Sequence, residues 1–415
     1  MATLPSHVAR GQAEVFRHLW RQLGPFAAVD RAFPARLEQR LRQDRRFGSR
    51  DRRLYRELTY TALRYRSWLP DPGEPLDDTS LAAIVWLAAD LPATRPLKQA
   101  VTSEWPVSSG SVAERATTLQ AKGLARAGRC LLPEWFREEC PTAFSSPLYD
   151  CLVQRAPLWL RLQTGEPERV ATEFHARGWS FTPSLDLPSA WRVESEIDVT
   201  QSDAYAEGLI EVQDLGSQWI VEQLPVSPGE RWLDVCAGAG GKSLHLACRL
   251  GPQSRVFAHD IRPEALVELQ LRARRAGLRN IEVTPDPATH PATSFDGVLV
   301  DAPCSGTGTW RRSPHLKWST SPEQIAAYAA QQGALLERYH TRVRPGGLLV
   351  YATCSLTRTE NEDVIQRFRS LHADFQPLPE PLRALPRALP SAGGHTLLPS
   401  LYDTDGFYAA VLRRD

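Results

Sequence analysis

The sequence predicts an α/β protein whose C-terminal half is an open, doubly wound sheet, preceded by a small α+β segment and an all-helical N-terminal third. Three observations predict it. From about residue 206 onward, short apolar runs alternate with helical stretches, as a sheet covered on both faces requires. Two of these runs end in cysteine-bearing turns, DAPCSGTG (301–308) and YATCSLT (351–357), and a third ends in the glycine-rich turn CAGAGGKS (236–243). Over residues 8–128, apolar positions recur at three and four, and alternation is rare. The boundaries drawn from this are 1–130, 131–205 and 206–415.

Taken in order, the N-terminal helices carry a charge that the whole chain hides. The net charge is +1, yet residues 1–70 hold 15 arginines against 6 acids. The run 36–66 interleaves arginine with Leu54, Tyr55, Tyr60 and Tyr65. That is either a solvated helix face or a surface for phosphates, since phosphate attraction supplies most non-specific RNA affinity. Pro92–Gly110 breaks the helical pattern, and Leu131-Leu132-Pro133 is read as the start of the next unit. Between Leu158 and Val193, short strands flank a helical stretch, Glu168–Arg177.

In the last unit, strands are expected at Arg231–Cys236, Arg255–Asp260, Asn280–Pro285, Phe295–Asp301, Leu348–Thr353 and Phe407–Arg413. A long helix from Pro322 to about Arg342 has Ser321 as N-cap, Pro322 at its first position and Gln324 to complete a capping box. Arg344-Pro345-Gly346-Gly347 is expected to stop it. Thr359 with Glu362 suggests a second box, and the proline-rich span Pro377–Pro399 suggests a surface excursion with little regular structure.

Ligands of open parallel sheets bind outside the carboxyl ends of the strands, so both cysteine turns and the glycine turn should face one crevice. Glycines at 238, 240 and 241 let the backbone turn tightly and approach a ligand near the positive end of a helix. Asp260, at the end of the next strand, is placed to accept both ribose hydroxyls of a nucleoside cofactor. The string GGKS resembles the end of a phosphate-binding loop, but that pattern needs a glycine where Cys236 stands.

Other function classes are disfavoured. No CxxC or histidine pair at ligand spacing occurs, so no metal is expected. Cys130, Cys140, Cys151 and Cys248 stand apart and suit a structural role. Seven cysteines in 415 residues without a signal-like start suggest a reducing cytoplasm, and the longest apolar run, Leu81–Ala89, is too short for a bilayer.

The strings CAGAGGKS, DAPCSGTG, RRSPHLKW (311–318) and ATCS, in this order and spacing, resemble the RsmB/Nop/Sun family of RNA cytosine-5 methyltransferases. The resemblance is strong over 205–415 and looser back to RAPLWLRL (155–162); LYRELTYTALRYR (54–66) resembles weakly a NusB-like helical domain. It implies a Rossmann-like class I methyltransferase sheet, S-adenosylmethionine as cofactor, and RNA as partner, acted on by a monomer; the NusB-like resemblance leans towards ribosomal RNA, and transfer RNA stays open as the alternative. By resemblance Cys354 is the nucleophile, Cys304 assists release of the product, and Asp301 holds the cytosine edge. Cys236, Ala237, Gly238, Ala239, Gly240, Gly241, Lys242, Asp260, Asp286 and Asp301 would line the cofactor.

A thiol is only a few per cent ionised at neutral pH, so the nucleophile needs a nearby cation, and Lys242 is the candidate. The chain has four lysines, at 98, 122, 242 and 317, in an otherwise arginine-rich sequence. A compact ammonium at a tight site is one reading and chance the other. Arg311, Arg312 and Lys317, with Trp310 and Trp318, could grip phosphates and stack a base, or belong to a loop ordered by core tryptophans. Three departures from the family pattern bear on cofactor and RNA binding: Ala239 for proline, His315 for aspartate, and prolines 285 and 287 around Asp286. A non-catalytic RNA-binding assembly factor is the rival reading, and retention of both cysteines opposes it. A DNA cytosine methyltransferase would leave the ATCS cysteine unexplained.

Overall fold

A computed structural model describes residues 4–71, 74–194, 197–378 and 386–415. The chain divides into two compact units, one of residues 1–155 with 309–321, the other of residues 156–308 with 322–415.

The first unit is helical. Its opening helix, Ser6–Leu23, buries Ala9, Ala13, Phe16, Leu19, Trp20 and Leu23, the three-and-four spacing that puts one stripe into a core. The helix Val112–Ala121 starts with a capping box: Glu114 N–H donates to Ser111 Oγ at 3.3 Å, and Ser111 N–H to the Glu114 carboxylate at 2.7 Å. Within 92–110, where the sequence pattern breaks, the chain still forms a short helix, Arg95–Val101. It buries only Leu97, too little periodic signal to read. The boundary drawn at 130 falls early. Leu131 and Val153 share a core with Trp68 and Leu119, so the helices Phe136–Glu139 and Leu148–Leu152 stay with this unit.

The second unit holds two sheets. Strands β1 (Leu158–Leu162), β2 (Phe181–Pro183), β3 (Ala190–Val193) and β4 (Ile210–Val212) form an antiparallel sheet in the order β2-β3-β1-β4. The helix Pro167–Ala176 packs Val170 and Phe174 against it. The large sheet contains β5 (Arg231–Asp234), β6 (Arg255–Ala258), β7 (Ile281–Val283), β8 (Phe295–Asp301), β9 (Val343–Thr353), β10 (Phe375–Pro377), β11 (Leu389–Ser391), β12 (Gly394–Leu397) and β13 (Phe407–Arg414). Its order is β11-β12-β13-β9-β8-β5-β6-β7, with β10 on β13. β7, β6, β5, β8 and β9 run parallel, whereas β13 lies antiparallel to β9. The strand order reverses between β5 and β8. Their carboxyl ends are therefore the expected ligand crevice, and Asp301 sits there, paired in register with Ala352 of β9.

Three local expectations are corrected. The span 377–399 contains the β11–β12 hairpin, tied to the sheet because Leu397 is fully buried; residues 379–385 of that span lie outside the described residues. Thr359 does not cap the helix Glu362–Leu371, which has Asn361 at its N-cap without a side-chain cap bond. Glu362 instead accepts from Ser391 Oγ. The long helix begins at Pro322 but ends at Tyr339, followed by a 3-10 turn to Arg342, and residues 344–347 already belong to β9.

Candidate active site

The glycine turn after β5 is shaped by two contacts. Gly240 has φ +88°, and a Cβ there would lie 2.6 Å from Leu244 and 2.7 Å from Leu269, so only glycine fits. At its start, Gly238 N–H donates to Asp260 Oδ2 at 2.8 Å. Asp260, expected from the sequence at the ribose hydroxyls, thus bonds to the glycine turn. It is also gripped by Arg262, through Nε at 2.9 Å and Nη2 at 3.1 Å. Burial alone would raise the Asp260 pKa, but the hydrogen bonds from Arg262 and Gly238 outweigh it and hold the carboxylate below its ordinary value. Arg262 carried no signal in the sequence beyond its place two residues later.

The GGKS string is not arranged for phosphate. Ser243 Oγ donates to Asp234 Oδ2 at 2.6 Å, beneath the turn. Asp234 is fully buried, and loss of solvent pushes its pKa up to about 7 despite that bond. Lys242 Nζ donates to Asp301 Oδ2 at 2.7 Å. The cation sought for Cys354 is therefore engaged by the aspartate of the neighbouring turn.

The two thiols meet. Cys304 Sγ and Cys354 Sγ are 3.3 Å apart, both partly exposed, on loops that leave the parallel neighbours β8 and β9. The neighbouring Cys354 sulfur and burial raise the Cys304 pKa well above that of an ordinary thiol, so Cys304 stays protonated at neutral pH. Gly308 is in contact with the other loop. Its N–H donates to Cys354 O at 2.9 Å, its carbonyl accepts from Gly406 N–H at 2.8 Å, and a Cβ on it would lie 2.2 Å from Gly406 O.

A residue that sequence reasoning missed ties these loops together. Glu360 is fully buried, and its carboxylate accepts from Ser305 N–H at 2.7 Å, Ser355 Oγ at 2.7 Å, Thr357 Oγ1 at 2.8 Å and Gln332 Nε2 at 3.1 Å, as well as from Ser305 Oγ. Asn361 adds a clamp, accepting from Thr353 Oγ1 at 2.6 Å and donating to Ser355 O at 3.0 Å. The only available signal was an acid six residues beyond a cysteine turn rich in Ser and Thr.

Around this centre, Ala239 O accepts from Arg272 Nη1 at 2.7 Å, and Arg272 also pairs with buried Glu211 of β4. The small sheet thereby braces the glycine turn. Cys236 lines that turn with its thiol pKa raised by burial and by Asp234, as an unreactive group would be. Asp286 is exposed beyond β7, 3.7 Å from Arg338. Among the described residues, one trio of possible metal ligands, Glu337, His340 and His372, has its ligating atoms within 4.8 Å. Glu337 and His340 stand before the amino end of β9, and His372 stands before β10.

Two of the expected RNA contacts are withdrawn. Arg311 and Lys317 are each 1% exposed. Arg311 Nη2 donates to Arg155 O at 3.0 Å and Lys317 Nζ to Arg64 O at 2.8 Å, all within the helical unit. Trp310 is buried against Phe136, their ring centres 4.5 Å apart, and Trp318 Nε1 donates to Leu63 O at 2.7 Å. His315 is buried against Phe33, its ring nitrogen 3.2 Å from Arg31 O. This segment is the loop ordered by core tryptophans; of the three cations only Arg312 is exposed.

Residues 221–413 match the family model described as 16S rRNA methyltransferase RsmB/F. The ribosomal RNA small subunit methyltransferase B of Xanthomonas campestris is 30% identical over 398 residues, covering 88% of this chain and 89% of the relative. The probable ribosomal RNA small subunit methyltransferase B of Synechocystis is 33% identical over 296 residues, and the match spans 66% of that relative's length and 68% of this chain. A solved methyltransferase homologue from Pyrococcus horikoshii superposes with a TM-score of 0.56 at 25% identity, over 65% of this chain and 90% of its own. Among the described residues no helix is long and apolar enough to cross a membrane. The chain belongs to the RsmB/F methyltransferase family.

Proposed function

We propose that this chain transfers a methyl group from S-adenosylmethionine to carbon 5 of a cytosine in ribosomal RNA. One observation carries the reading: two thiols 3.3 Å apart at the carboxyl ends of adjacent parallel strands, one of them held protonated. A scaffold needs neither, whereas addition to a pyrimidine followed by elimination uses both.

The residues around the glycine turn fit the cofactor. Gly238 and Gly241 leave the backbone open to close approach, and the Asp260 carboxylate beside them is placed for ribose hydroxyls. When bound, S-adenosylmethionine supplies an electrophilic methyl carbon. Cys354 adds to carbon 6 of the ring as a thiolate, which makes carbon 5 enamine-like and able to take the methyl group. Asp301 holds the cytosine edge, and the Lys242 ammonium paired with it steadies the negative charge that addition places on the ring. Transfer of the carbon 5 proton to water then expels the Cys354 sulfur as a thiolate and restores the aromatic ring. Cys304 lies 3.3 Å from that sulfur, and burial beside it raises the Cys304 pKa, which favours Cys354 as the nucleophile and gives Cys304 the role of assisting release. Asp286 and the main chain of Cys236, Ala237, Ala239 and Gly240 complete the cofactor's surroundings in this reading. The protein works as a cytoplasmic monomer, and its chemistry uses no metal.

The test is radiolabel transfer from S-adenosylmethionine to ribosomal RNA, followed by denaturing gels. Cys354→Ala should lose transfer by a factor of at least about 10³, the cost of removing a covalent nucleophile. Cys304→Ala should trap the protein on RNA. Normal turnover by the Cys354 variant, or adducts from that variant, would overturn the roles.

A further inference from the structure

The helical unit contains a cavity of about 690 Å³, within the range of small-ligand sites. Cations dominate its wall. Arg64, Arg95, Lys98, Arg115 and Arg155 line it against two carboxylates, Glu57 and Asp90. Both acids are already committed: Glu57 to Arg64 at 3.2 Å and Arg155 at 3.4 Å, and Asp90 to Arg95 at 3.1 Å. Among the described residues, Lys98 and Arg115 have neutral acceptors alone. Lys98 Nζ donates to Ala88 O at 2.5 Å and Arg115 Nη1 to Tyr65 OH at 2.6 Å. Asp150, outside the wall, accepts from Val112 N–H and from Ser146 Oγ. Arg64 is 4% exposed, and the Nε atoms of Arg64 and Arg115 are buried with no partner among the described residues. Like charges so confined are stabilised when an anion enters between them.

The wall also supplies an aromatic face. Trp105 is partly exposed, 6.0 Å from the ring of Trp86, with Lys122 Nζ 5.5 Å from its centroid. Of the chain's four lysines, Lys98 stands in the wall of this cavity, and Lys122 sits over the tryptophan without lining it. A phosphate beside cations and a base on an aromatic ring are the two handles by which single-stranded nucleic acid is held.

We propose that this cavity is a nucleotide-binding subsite that takes one phosphate and one unpaired base of the RNA substrate. It rests on the reading of the chain as RNA-directed, and names where a second part of that RNA is gripped. The phosphate lies between Lys98 and Arg115, and the base stacks on Trp105.

Fluorescence anisotropy of the full chain with a labelled single-stranded oligonucleotide, over a range of salt concentrations, reads the subsite without methyl transfer. Lys98→Gln should weaken binding about fivefold and flatten the log-affinity against log-salt slope by about 0.7, the loss of one phosphate contact on a single strand. Trp105→Ala should weaken binding about fivefold with the slope unchanged. Calorimetric titration with cytidine 5′-monophosphate should show binding that Lys98→Gln removes, and inorganic phosphate should bind more weakly at the same place. Unchanged RNA affinity and slope in Lys98→Gln overturns the proposal. So does nucleotide binding that Lys98→Gln abolishes without any effect on RNA, which would make the cavity a site for free nucleotides. A chain that grips RNA through Lys98 yet transfers no methyl would fail the proposed function and leave this inference standing.

Discussion

Residues 301–308 and 309–321 are neighbours in sequence, both rich in polar residues, and they belong to different units of the molecule. The first segment turns its polar groups on a buried carboxylate and leaves Cys304 partly exposed beside Cys354. The second hides two of its three cations: Arg311 and Lys317 donate to main-chain carbonyls in the helical unit. The difference teaches that a charged motif beside a catalytic motif need not touch the substrate. An arginine or lysine buries its long apolar stem readily once its donors find carbonyls, and a cluster of tryptophans next to it provides the core to do so. In the first segment the side chains are short, and those of Ser305 and Thr307 close on Ser355 and Glu360.

The largest break of this comparison is at Glu360. Glu360→Ala leaves Ser305 N–H without its acceptor in a fully buried place and Gln332 Nε2 with Pro303 O alone, while the hydroxyls of Ser305, Thr307, Ser355 and Thr357 can still pair with one another. Orphaned buried donors cost about 1–3 kcal/mol each, so the sheet unit should lose about 3 kcal/mol in denaturant unfolding. Glu360→Gln retains an acceptor and should lose less. Because Glu360 acts through the cysteine loops, Glu360→Gln should also lower methyl transfer with little change in RNA affinity. A variant with native stability and rate would show that the loops do not need this anchor.

The legible parts of the molecule are those whose signal is local. Each strand preceding a site turn was readable as an apolar run, and Gly240, Asp260, Cys304 and Cys354 stood at strand ends where ligands are met. What was hidden is the pairing of distant residues. Lys242 is 59 positions from Asp301, Arg272 is 61 from Glu211, and Ser305 is 55 from Glu360. No period or spacing encodes such partners, so the lysine was assigned to the thiol when it serves the aspartate. The burial of Arg311 and Lys317 was hidden for the same reason, since it depends on helices near residues 63 and 155. A short β-hairpin after prolines, β11–β12, escaped because its only buried apolar anchor is Leu397.

A medium-sized test addresses the hidden lysine. Burial and the nearby Arg64 push the Lys317 pKa from 10.5 down to about 7. The unfolded chain then binds more protons than the folded one between these values, so the stability that depends on this residue rises as pH increases from about 7 towards 10. Wild type should therefore gain on Lys317→Met by about 1 kcal/mol per pH unit across that window. Melting curves of both proteins at pH 7 and pH 9 check it. A constant difference would mean that the ammonium is solvated, and would return Lys317 to the surface.

The smallest effect sharpens the comparison most, because it separates the three cations of one string. Arg312 is exposed, whereas Arg311 and Lys317 are enclosed. If exposure decides which of them meets RNA, Arg312→Ala should reduce oligonucleotide affinity about threefold and flatten the salt slope by less than about 1, as one peripheral phosphate contact would. Lys317→Met, measured below its melting range, should leave both quantities unchanged. Equal losses from the two variants would mean that the helical unit releases this segment when RNA binds. The order reversed, with Lys317 dominant, would place the whole 309–321 segment in the RNA interface and remove the contrast between the two halves of the string.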